Sequence, residues 1–172
     1  MSTPANDDKK STATPLVDLD VCRQVEDLLI DYVHAIDDFD LKRWPDFFTE
    51  DAVYQIIPRE SYDANLPLGI LYCEGRGMMS DRILALETAN IFEPHTYSHI
   101  TGRPQLTVTD DGTINARSNF NVTRTMQDGR MEIYAVGKYV DVIAMTDDGP
   151  LIQDRRVVLE SRRVDILLVY PL

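Results

Sequence analysis

The sequence of 172 residues predicts an α+β domain in which helices come first and a curved antiparallel sheet follows. Apolar residues near the N-terminus recur at steps of three and four, which indicates an amphipathic helix. Further along, three Asp-Gly pairs separate long alternating segments, and Asp-Gly is a strong hairpin signal. Strands of about 12 to 15 residues exceed the usual five or six. They therefore predict a sheet that curves around the first helix as a cone.

The first helix is expected to begin near Asp18 and to lose its pattern near Asp37. Asp18 and Asp20 lie where carboxylates can accept backbone N–H groups and meet the positive end of the helix dipole. Helical spacing places seven apolar residues on one face: Val21, Val25, Leu28, Leu29, Tyr32, Val33 and Ile36.

A short helix is expected next, capped by Asp40 and ending at Phe47, because Pro45 is tolerated only in the first turns. Two strands, at 52–57 and 68–72, and a helix at 80–89 are predicted before the strand meander. In the meander, Phe120, Val122 and Met126 are expected to share one face. A second set is predicted to share a side of the following strand: Ile133, Ala135, Tyr139, Ile143 and Met145.

Composition narrows the range of partners. The formal net charge of -12 argues against nucleic acid and anionic membranes, which would repel the chain. No apolar run approaches the ~18 residues that a membrane span needs. The chain is therefore expected to be cytoplasmic. Residues 1–15 are expected to form a disordered tail, and residues 16–172 a single domain.

Histidines and carboxylates supply the candidates for chemistry. His95 and His99 are four residues apart, so a strand would point both to the same side, where a carboxylate could complete a metal or acid–base site. Structural or interface roles are the alternative for this pair. Asp37 could act as a general base in an apolar cone, or serve only as a cap or turn residue. His34, on the first helix, could lie at a pocket mouth or be a half-buried structural residue.

The last predicted strand carries unusual charge. Alternation puts Arg155 and Arg163 on one face and Arg156 and Arg162 on the other. Charge on both faces is poorly suited to burial in a monomer, whereas arginines suit carboxylates on another subunit. The four arginines, together with Tyr170, are therefore the candidates for a subunit interface. A solvated sheet edge is the alternative.

Several catalytic signatures are absent from the sequence. It has no glycine-rich phosphate loop and no nucleophile elbow. It also lacks the Cys-x-His with a later Cys-x-x-His of an iron–sulfur site, and a helical two-histidine, one-carboxylate iron motif. No redox cofactor is therefore expected on this chain.

From about Val21 to Leu172 the chain resembles the small (β) subunit of aromatic-ring-hydroxylating Rieske non-haem iron oxygenases. Within that family it looks most like the small subunits of salicylate hydroxylases and terephthalate dioxygenases. The matching motifs are Arg43–Glu50 (RWPDFFTE), Pro58–Glu60, Leu66–Leu68, Met79 with Asp81-Arg82, His99-Ile100 with Gly102 and Pro104, and Tyr170–Leu172.

The resemblance implies a cone of the NTF2-like, scytalone-dehydratase-like fold and a structural β subunit in an α3β3 terminal oxygenase acting on an aromatic acid. It implies that the α subunit carries the Rieske [2Fe–2S] cluster and the mononuclear Fe(II), with a ferredoxin and a reductase as further partners. It carries no catalytic residue onto this chain.

Two alternatives use the cone as a pocket. The first is a stand-alone dehydratase or isomerase with Tyr32 or Tyr54 orienting a carbonyl. Its proton-transfer residues would be His34, Asp37, His95 and His99. The second alternative is a small-molecule binding module.

Overall fold

The structure, a computed structural model, describes residues 17–89, 93–161, 168 and 170–172. The helices are α1 (Leu19–Asp37), a 3₁₀ helix (Leu41–Phe47), α2 (Arg59–Asp63) and α3 (Gly75–Ala89). The strands are β1 (Phe48–Pro58), β2 (Leu71–Glu74), β3 (His95–Thr101), β4 (Gln105–Val108), β5 (Ile114–Met126), β6 (Met131–Thr146) and β7 (Gly149–Leu159). The predicted α+β class is confirmed, and the tail expected at 1–15 lies outside the described residues.

The seven strands form one sheet in the order β2-β1-β7-β6-β5-β3, with β4 paired to β5. All pairs are antiparallel except β1 with β7, which run parallel. The pairing shifts register between Val122 and Thr123 and between Val142 and Ile143. Such irregularities bend and twist a strand, and the sheet curves in the way that its long strands predict.

Helix α1 packs its apolar face into the curved sheet, as its spacing predicts. Its buried residues are Val25, Tyr32, Val33, Ala35 and Ile36. The Asp18 carboxylate accepts the backbone N–H of Asp20 at 2.8 Å and caps the helix. No helix in the described part of the chain is long and apolar enough to cross a membrane.

The meander follows the predicted turns and faces. Gly112, Gly129 and Gly149 adopt positive φ in the hairpin turns, which glycine does without strain. Phe120, Val122 and Met126 of β5 are all buried. Of the set predicted on one side of β6, Ala135, Tyr139 and Ile143 are buried. Ile133 and Met145, near the two ends of that strand, are instead exposed.

Other local predictions also differ from the structure. Helix α3 begins at Gly75, ahead of the predicted start at residue 80, because Gly75 takes a φ of +78° and turns the chain at the end of β2. Strand β2 begins at Leu71, later than predicted, since Gly69 passes directly over Gln55: a Cβ there would lie 2.7 Å from Gln55 Nε2. Asp40 makes no side-chain cap, and its backbone carbonyl accepts the Arg43 N–H instead.

Aromatic residues and the C-terminal segment close the core. Trp44 donates its indole N–H to the Tyr32 hydroxyl at 3.1 Å. The hydroxyls of Tyr32 and Tyr54 both donate to the Leu172 backbone oxygen, at 2.9 and 3.0 Å. Leu172 in turn donates its N–H to the Tyr54 hydroxyl at 2.9 Å. The predicted orienting tyrosines are thus hydrogen-bonded within the core.

Candidate functional site

A buried ion pair lies inside the cone. Arg155 of β7 and Asp141 of β6 are opposite each other in the sheet register. Arg155 Nε and Nη2 donate to the two carboxylate oxygens of Asp141, both at 2.8 Å. Arg155 is 1% exposed and Asp141 is 2% exposed. The guanidinium also lies over the rings of Tyr32 and Tyr139, at 4.0 and 4.5 Å from their centroids. Two aromatic rings and a carboxylate therefore hold this arginine in one orientation.

Burial and charge act in opposite directions on the ionisable groups around this pair. Burial raises the pKa of Asp141, and the Arg155 charge opposes that rise. Burial alone would lower the pKa of Arg155, but the Asp141 carboxylate more than compensates and the arginine keeps its charge. Burial raises the pKa of Tyr139 well above its ordinary value, so its phenol stays protonated. The ion pair is therefore buried and mutually neutralised, and it lies beside a protonated phenol.

A cavity of about 220 Å³ opens between α1 and the inner face of the sheet beside this pair. Its lining residues are Glu26, Leu29, Ile30, Thr101, Gly102, Arg103, Pro104, Ser118, Tyr139 and Arg155. Glu26 accepts from Arg103 Nε at 3.1 Å, and Arg103 is largely exposed whereas Ser118, Tyr139 and Arg155 are buried. The cavity thus has an ion pair at its rim and polar groups at its buried end.

The structure brings together two of the predicted acid–base residues. His99 on β3 places its ring Nδ1 2.6 Å from Asp37 Oδ1, and its backbone N–H donates to Asp37 Oδ2 at 2.7 Å. The His99 side chain is fully buried, and its Nε2 has no hydrogen-bond partner among the described residues. A carboxylate that holds one ring nitrogen fixes the imidazole orientation. The contact also ties the C-terminal end of α1 to the sheet.

Of the other two predicted acid–base residues, His95 shares a cavity with Asp37, whereas His34 does not line it. His95 and Asp37 line a second cavity of about 260 Å³ together with Tyr97 and Tyr170. The ring Nδ1 of His95 lies 2.8 Å from the Glu93 carbonyl oxygen, which identifies Nδ1 as the donor. His34 is exposed on α1. Within the described ranges, no group of three His, Cys, Asp or Glu side chains is placed to hold a metal ion.

Of the five interface candidates, four are either buried or outside the described residues. The prediction for Arg155 is wrong, since its guanidinium is buried and paired within its own chain. Tyr170 is 3% exposed and packs against Phe39 and His95, which places it in the core. Arg162 and Arg163 lie outside the described residues.

Arg156 is the interface candidate that the structure places on an outer surface. Its side chain is 34% exposed and pairs with Asp154. It lies in an open depression whose other residues are Gln55, Ile57, Tyr62, Asp63, Asn65, Leu66, Pro67 and Tyr72. Five large apolar side chains of the adjoining segment are exposed: Tyr62, Leu66, Leu68, Ile70 and Tyr72. We call this set the outer apolar surface.

Sequence reasoning missed the partners of Arg155. Asp141 lies two residues from Tyr139 and two from Ile143, so strict alternation already assigns it to the core side of β6. A carboxylate on that side needs a buried partner, because an isolated charge is expensive to bury. This position in the alternation of β6 was the sequence signal for the Asp141–Arg155 pair.

Comparison with known proteins identifies first the fold and then the family. A structure assigned as a scytalone dehydratase from Novosphingobium aromaticivorans aligns with a TM-score of 0.62 and 18% identity, covering 80% of this chain and 82% of that one. The fold is therefore the predicted scytalone-dehydratase-like, NTF2-like cone.

The family follows from residues 32–165, which match the family described as ring hydroxylating beta subunit. The anthranilate 1,2-dioxygenase small subunit of Burkholderia cepacia is 40% identical over 141 residues, covering 82% of this chain and 88% of that protein. The terephthalate 1,2-dioxygenase terminal oxygenase subunit beta 2 of Comamonas sp. is 36% identical, covering 82% and 92%. The chain belongs to the ring-hydroxylating oxygenase β-subunit family.

A solved structure agrees with this assignment. A chain assigned as the β subunit of an aromatic-ring-hydroxylating dioxygenase from N. aromaticivorans aligns with a TM-score of 0.80 and 33% identity. The alignment covers 87% of this chain and 95% of that one. The resemblance inferred from the sequence motifs is confirmed.

Proposed function

We propose that this chain is the structural β subunit of a terminal oxygenase that hydroxylates an aromatic carboxylic acid, and that it assembles with a large α subunit as an α3β3 hexamer in the cytoplasm. The observation that carries the proposal is the family match across residues 32–165. Anthranilate and terephthalate, the substrates named for the two relatives, are both benzene carboxylates. Salicylate, an ortho-substituted benzoate like anthranilate, belongs to the same chemical class.

Redox chemistry in this proposal belongs to the α subunit. A Rieske cluster needs two cysteines and two histidines, and a mononuclear iron site needs two histidines and a carboxylate. The described residues bring together neither set of ligands. Their donors therefore do not fit either group, and the proposal assigns the [2Fe–2S] cluster and the Fe(II) to the α subunit. A ferredoxin and a reductase would supply the electrons.

The outer apolar surface supports a larger assembly. Its five members are between 38% and 69% exposed and follow one another closely in the chain. Contiguous apolar patches on soluble proteins mark interaction sites. Arg156, at the edge of this surface, offers a guanidinium that could pair with a carboxylate of another subunit. Arg162 and Arg163 remain proposed interface residues, because arginines in the last predicted strand suit carboxylates on another subunit.

Co-expression with the large subunit tests the proposal. An affinity tag on the α subunit is expected to retain this chain in equimolar amount, and native mass spectrometry is expected to give the mass of α3β3. A Leu68→Asp variant, which puts a carboxylate on the outer apolar surface, is expected to weaken that retention. Leu84→Asp, on a leucine of α3 that is 58% exposed against 69% for Leu68, is the matched control. A chain that never co-purifies with the large subunit would refute the proposal.

The His99–Asp37 contact favours a second candidate, a dehydratase or isomerase that works by proton transfer. Its test is His99→Asn, because the asparagine amide can replace the ring Nδ1 as a donor to Asp37 while Nε2 is lost. If the reconstituted oxygenase keeps its turnover with this variant, His99 has no required acid–base role in that reaction. Loss of turnover with an intact hexamer would favour the proton-transfer role.

A further inference from the structure

A strained aromatic residue follows the end of helix α1. Phe39 has a φ of +64°, in the left-handed region that bulky side chains rarely adopt. Its N–H donates to the Ile36 carbonyl at 3.1 Å, and the N–H of Asp40 donates to the Ala35 carbonyl at 2.8 Å. These two bonds form a Schellman motif, in which glycine is the usual residue at the position of Phe39. A phenylalanine there therefore lowers the stability of the free chain.

The charges beside Phe39 also oppose the local structure. Asp38 and Asp40 lie at the C-terminal end of α1, where the helix dipole is negative and carboxylates are unfavourable. Both are exposed, and neither forms an ion pair within the described ranges. Lys42, a nearby cation, pairs with Glu87 at 3.4 Å. Three consecutive residues thus differ from those that a helix end favours, and such local conflicts concentrate at functional sites.

The ring of Phe39 is exposed at two cavities. It is 56% exposed and meets the buried Tyr170 ring edge-on, with centroids 5.0 Å apart. Phe39 and Tyr170 line both a cavity of about 350 Å³, together with Leu41 and Leu86, and the cavity of about 260 Å³ already described beside His95. A cavity on the order of 150 Å³ holds benzene, so either one is large enough for an apolar side chain of a partner. We call Asp38, Phe39, Asp40 and the two cavities the Phe39 surface.

Charge decides which partner suits the Phe39 surface. Asp38 and Asp40 need arginine or lysine side chains from another protein. A second copy of this chain is a poor match, because its formal net charge is also -12 and an isologous contact would bring the same carboxylates together. A ferredoxin would deliver its electrons to the cluster, which the proposed function assigns to the α subunit. The large α subunit is therefore the partner that this surface fits.

We propose that the Phe39 surface docks the α subunit: the Phe39 ring enters an apolar pocket of α, and arginine or lysine side chains of α pair with Asp38 and Asp40. This inference rests on the proposed function and names the residues that make the contact. The helix end holds the ring in one backbone conformation before binding. Less conformational entropy is then lost on association, so the strain in the free chain is offset by affinity for the α subunit.

A competition assay tests the inference in the assembled complex. Wild-type and Phe39→Gly chains are co-expressed with an affinity-tagged α subunit, and mass spectrometry measures the ratio of the two chains before and after capture. The wild-type chain should be enriched about tenfold or more, as expected when an aromatic anchor is removed from an interface. Leu19→Ala, which removes a 62% exposed side chain at the opposite end of α1, is the control and should show no enrichment.

Urea denaturation distinguishes docking from a packing role. Glycine relieves the left-handed strain, so the full Phe39→Gly chain should unfold at the wild-type urea concentration or up to about 0.5 M above it. If the ring served mainly to pack against Tyr170, the midpoint would fall instead. A lowered midpoint would therefore overturn the assignment of Phe39 to docking.

The carboxylates are tested in the same competition assay. Asp38→Asn with Asp40→Asn keeps the side-chain size and removes both charges, so the wild-type chain should again be enriched on the α subunit. That enrichment should shrink when the chains are equilibrated with α at higher NaCl, because salt screens exposed charges. Enrichment that is absent, or that does not change with NaCl, would overturn the pairing with cations of α.

The remaining outcomes separate this inference from the proposed function. Equal capture of wild-type and Phe39→Gly chains would overturn the inference and leave the proposed function intact. Capture of neither chain by the α subunit would refute the proposed function, and the inference with it. If Phe39→Gly instead alters the self-association of the chain produced without α, as measured by analytical ultracentrifugation, the occupant is a second copy and the assignment to α is overturned.

Discussion

Replacing Arg155 by methionine should be among the most damaging single changes in the core. Methionine fills much of the same volume, so the main loss is the partner of Asp141. That carboxylate is 2% exposed and would lose two hydrogen bonds of 2.8 Å at once. Breaking a buried ion pair by removing one member typically costs about 3–5 kcal/mol. The contacts of the guanidinium with the Tyr32 and Tyr139 rings would be lost as well.

Urea denaturation of the full chain measures this loss. With an m-value of about 2 kcal/mol/M, a loss of about 4 kcal/mol moves the midpoint down by about 2 M. The matched control is Arg156→Met, the adjacent residue on the other face of β7, whose partly exposed pair with Asp154 and hydrogen bond to Gln55 should contribute less than the fully buried pair. Arg155→Met with Asp141→Leu should recover most of the lost stability, because no charge is then left buried.

The loss should also depend on pH. Without Arg155, burial alone would act on Asp141 and raise its folded-state pKa above the unfolded value. A group with a raised folded pKa loses stability as pH rises through that pKa. Arg155→Met should therefore be more destabilised at about pH 7 than at about pH 5. The reasoning would be refuted if Arg155→Met cost no more than Arg156→Met.

Three further changes have defined outcomes. Gly137→Ala should lower the free energy of unfolding by about 1–3 kcal/mol, since its Cβ would lie 2.2 Å from a backbone oxygen. Gly77→Ala in α3, with nothing within 4 Å, should raise it by up to about 1 kcal/mol; equal effects in denaturation would contradict this contrast. Tyr54→Phe should cost about 1–3 kcal/mol by leaving the buried Leu172 N–H unpaired, and a loss below that range would argue against this hydrogen bond. In an NMR titration, the Asp111 carboxyl should show a pKa of about 2, because neighbouring threonines donate hydrogen bonds to it. The stability that it contributes is lost as pH falls from about 4 towards 2. A measured pKa near 3.8 would contradict this expectation.

Local sequence patterns were sufficient to predict the parts of the fold that depend on residues close together in the chain. The apolar face of α1 follows from the helical period alone. The hairpin turns at Gly112, Gly129 and Gly149 follow from positive φ, which glycine adopts without strain. By contrast, the parallel pairing of β1 with β7 joins segments about a hundred residues apart. No turn signal predicts such a pairing.

The site could be predicted only in part, for the same reason. Asp37 and His99 were each identified as acid–base candidates, but their contact joins residues 62 positions apart. Arg155 was assigned to an interface because a charge in a strand looks unsuited to burial. Its buried partner becomes visible only when the register of β6 against β7 is known. Pairing across a sheet, rather than residue type, decides which charges can be buried.

Oxygen uptake dependent on an aromatic acid tests most directly whether this chain is a structural β subunit. The assay combines the ferredoxin and reductase with the α subunit alone, this chain alone, or the two co-expressed. Uptake is expected from the co-expressed complex and not from this chain by itself, and it should survive His99→Asn. Turnover of an aromatic acid by this chain alone, or full activity of an α preparation that lacks it, would contradict the structural role.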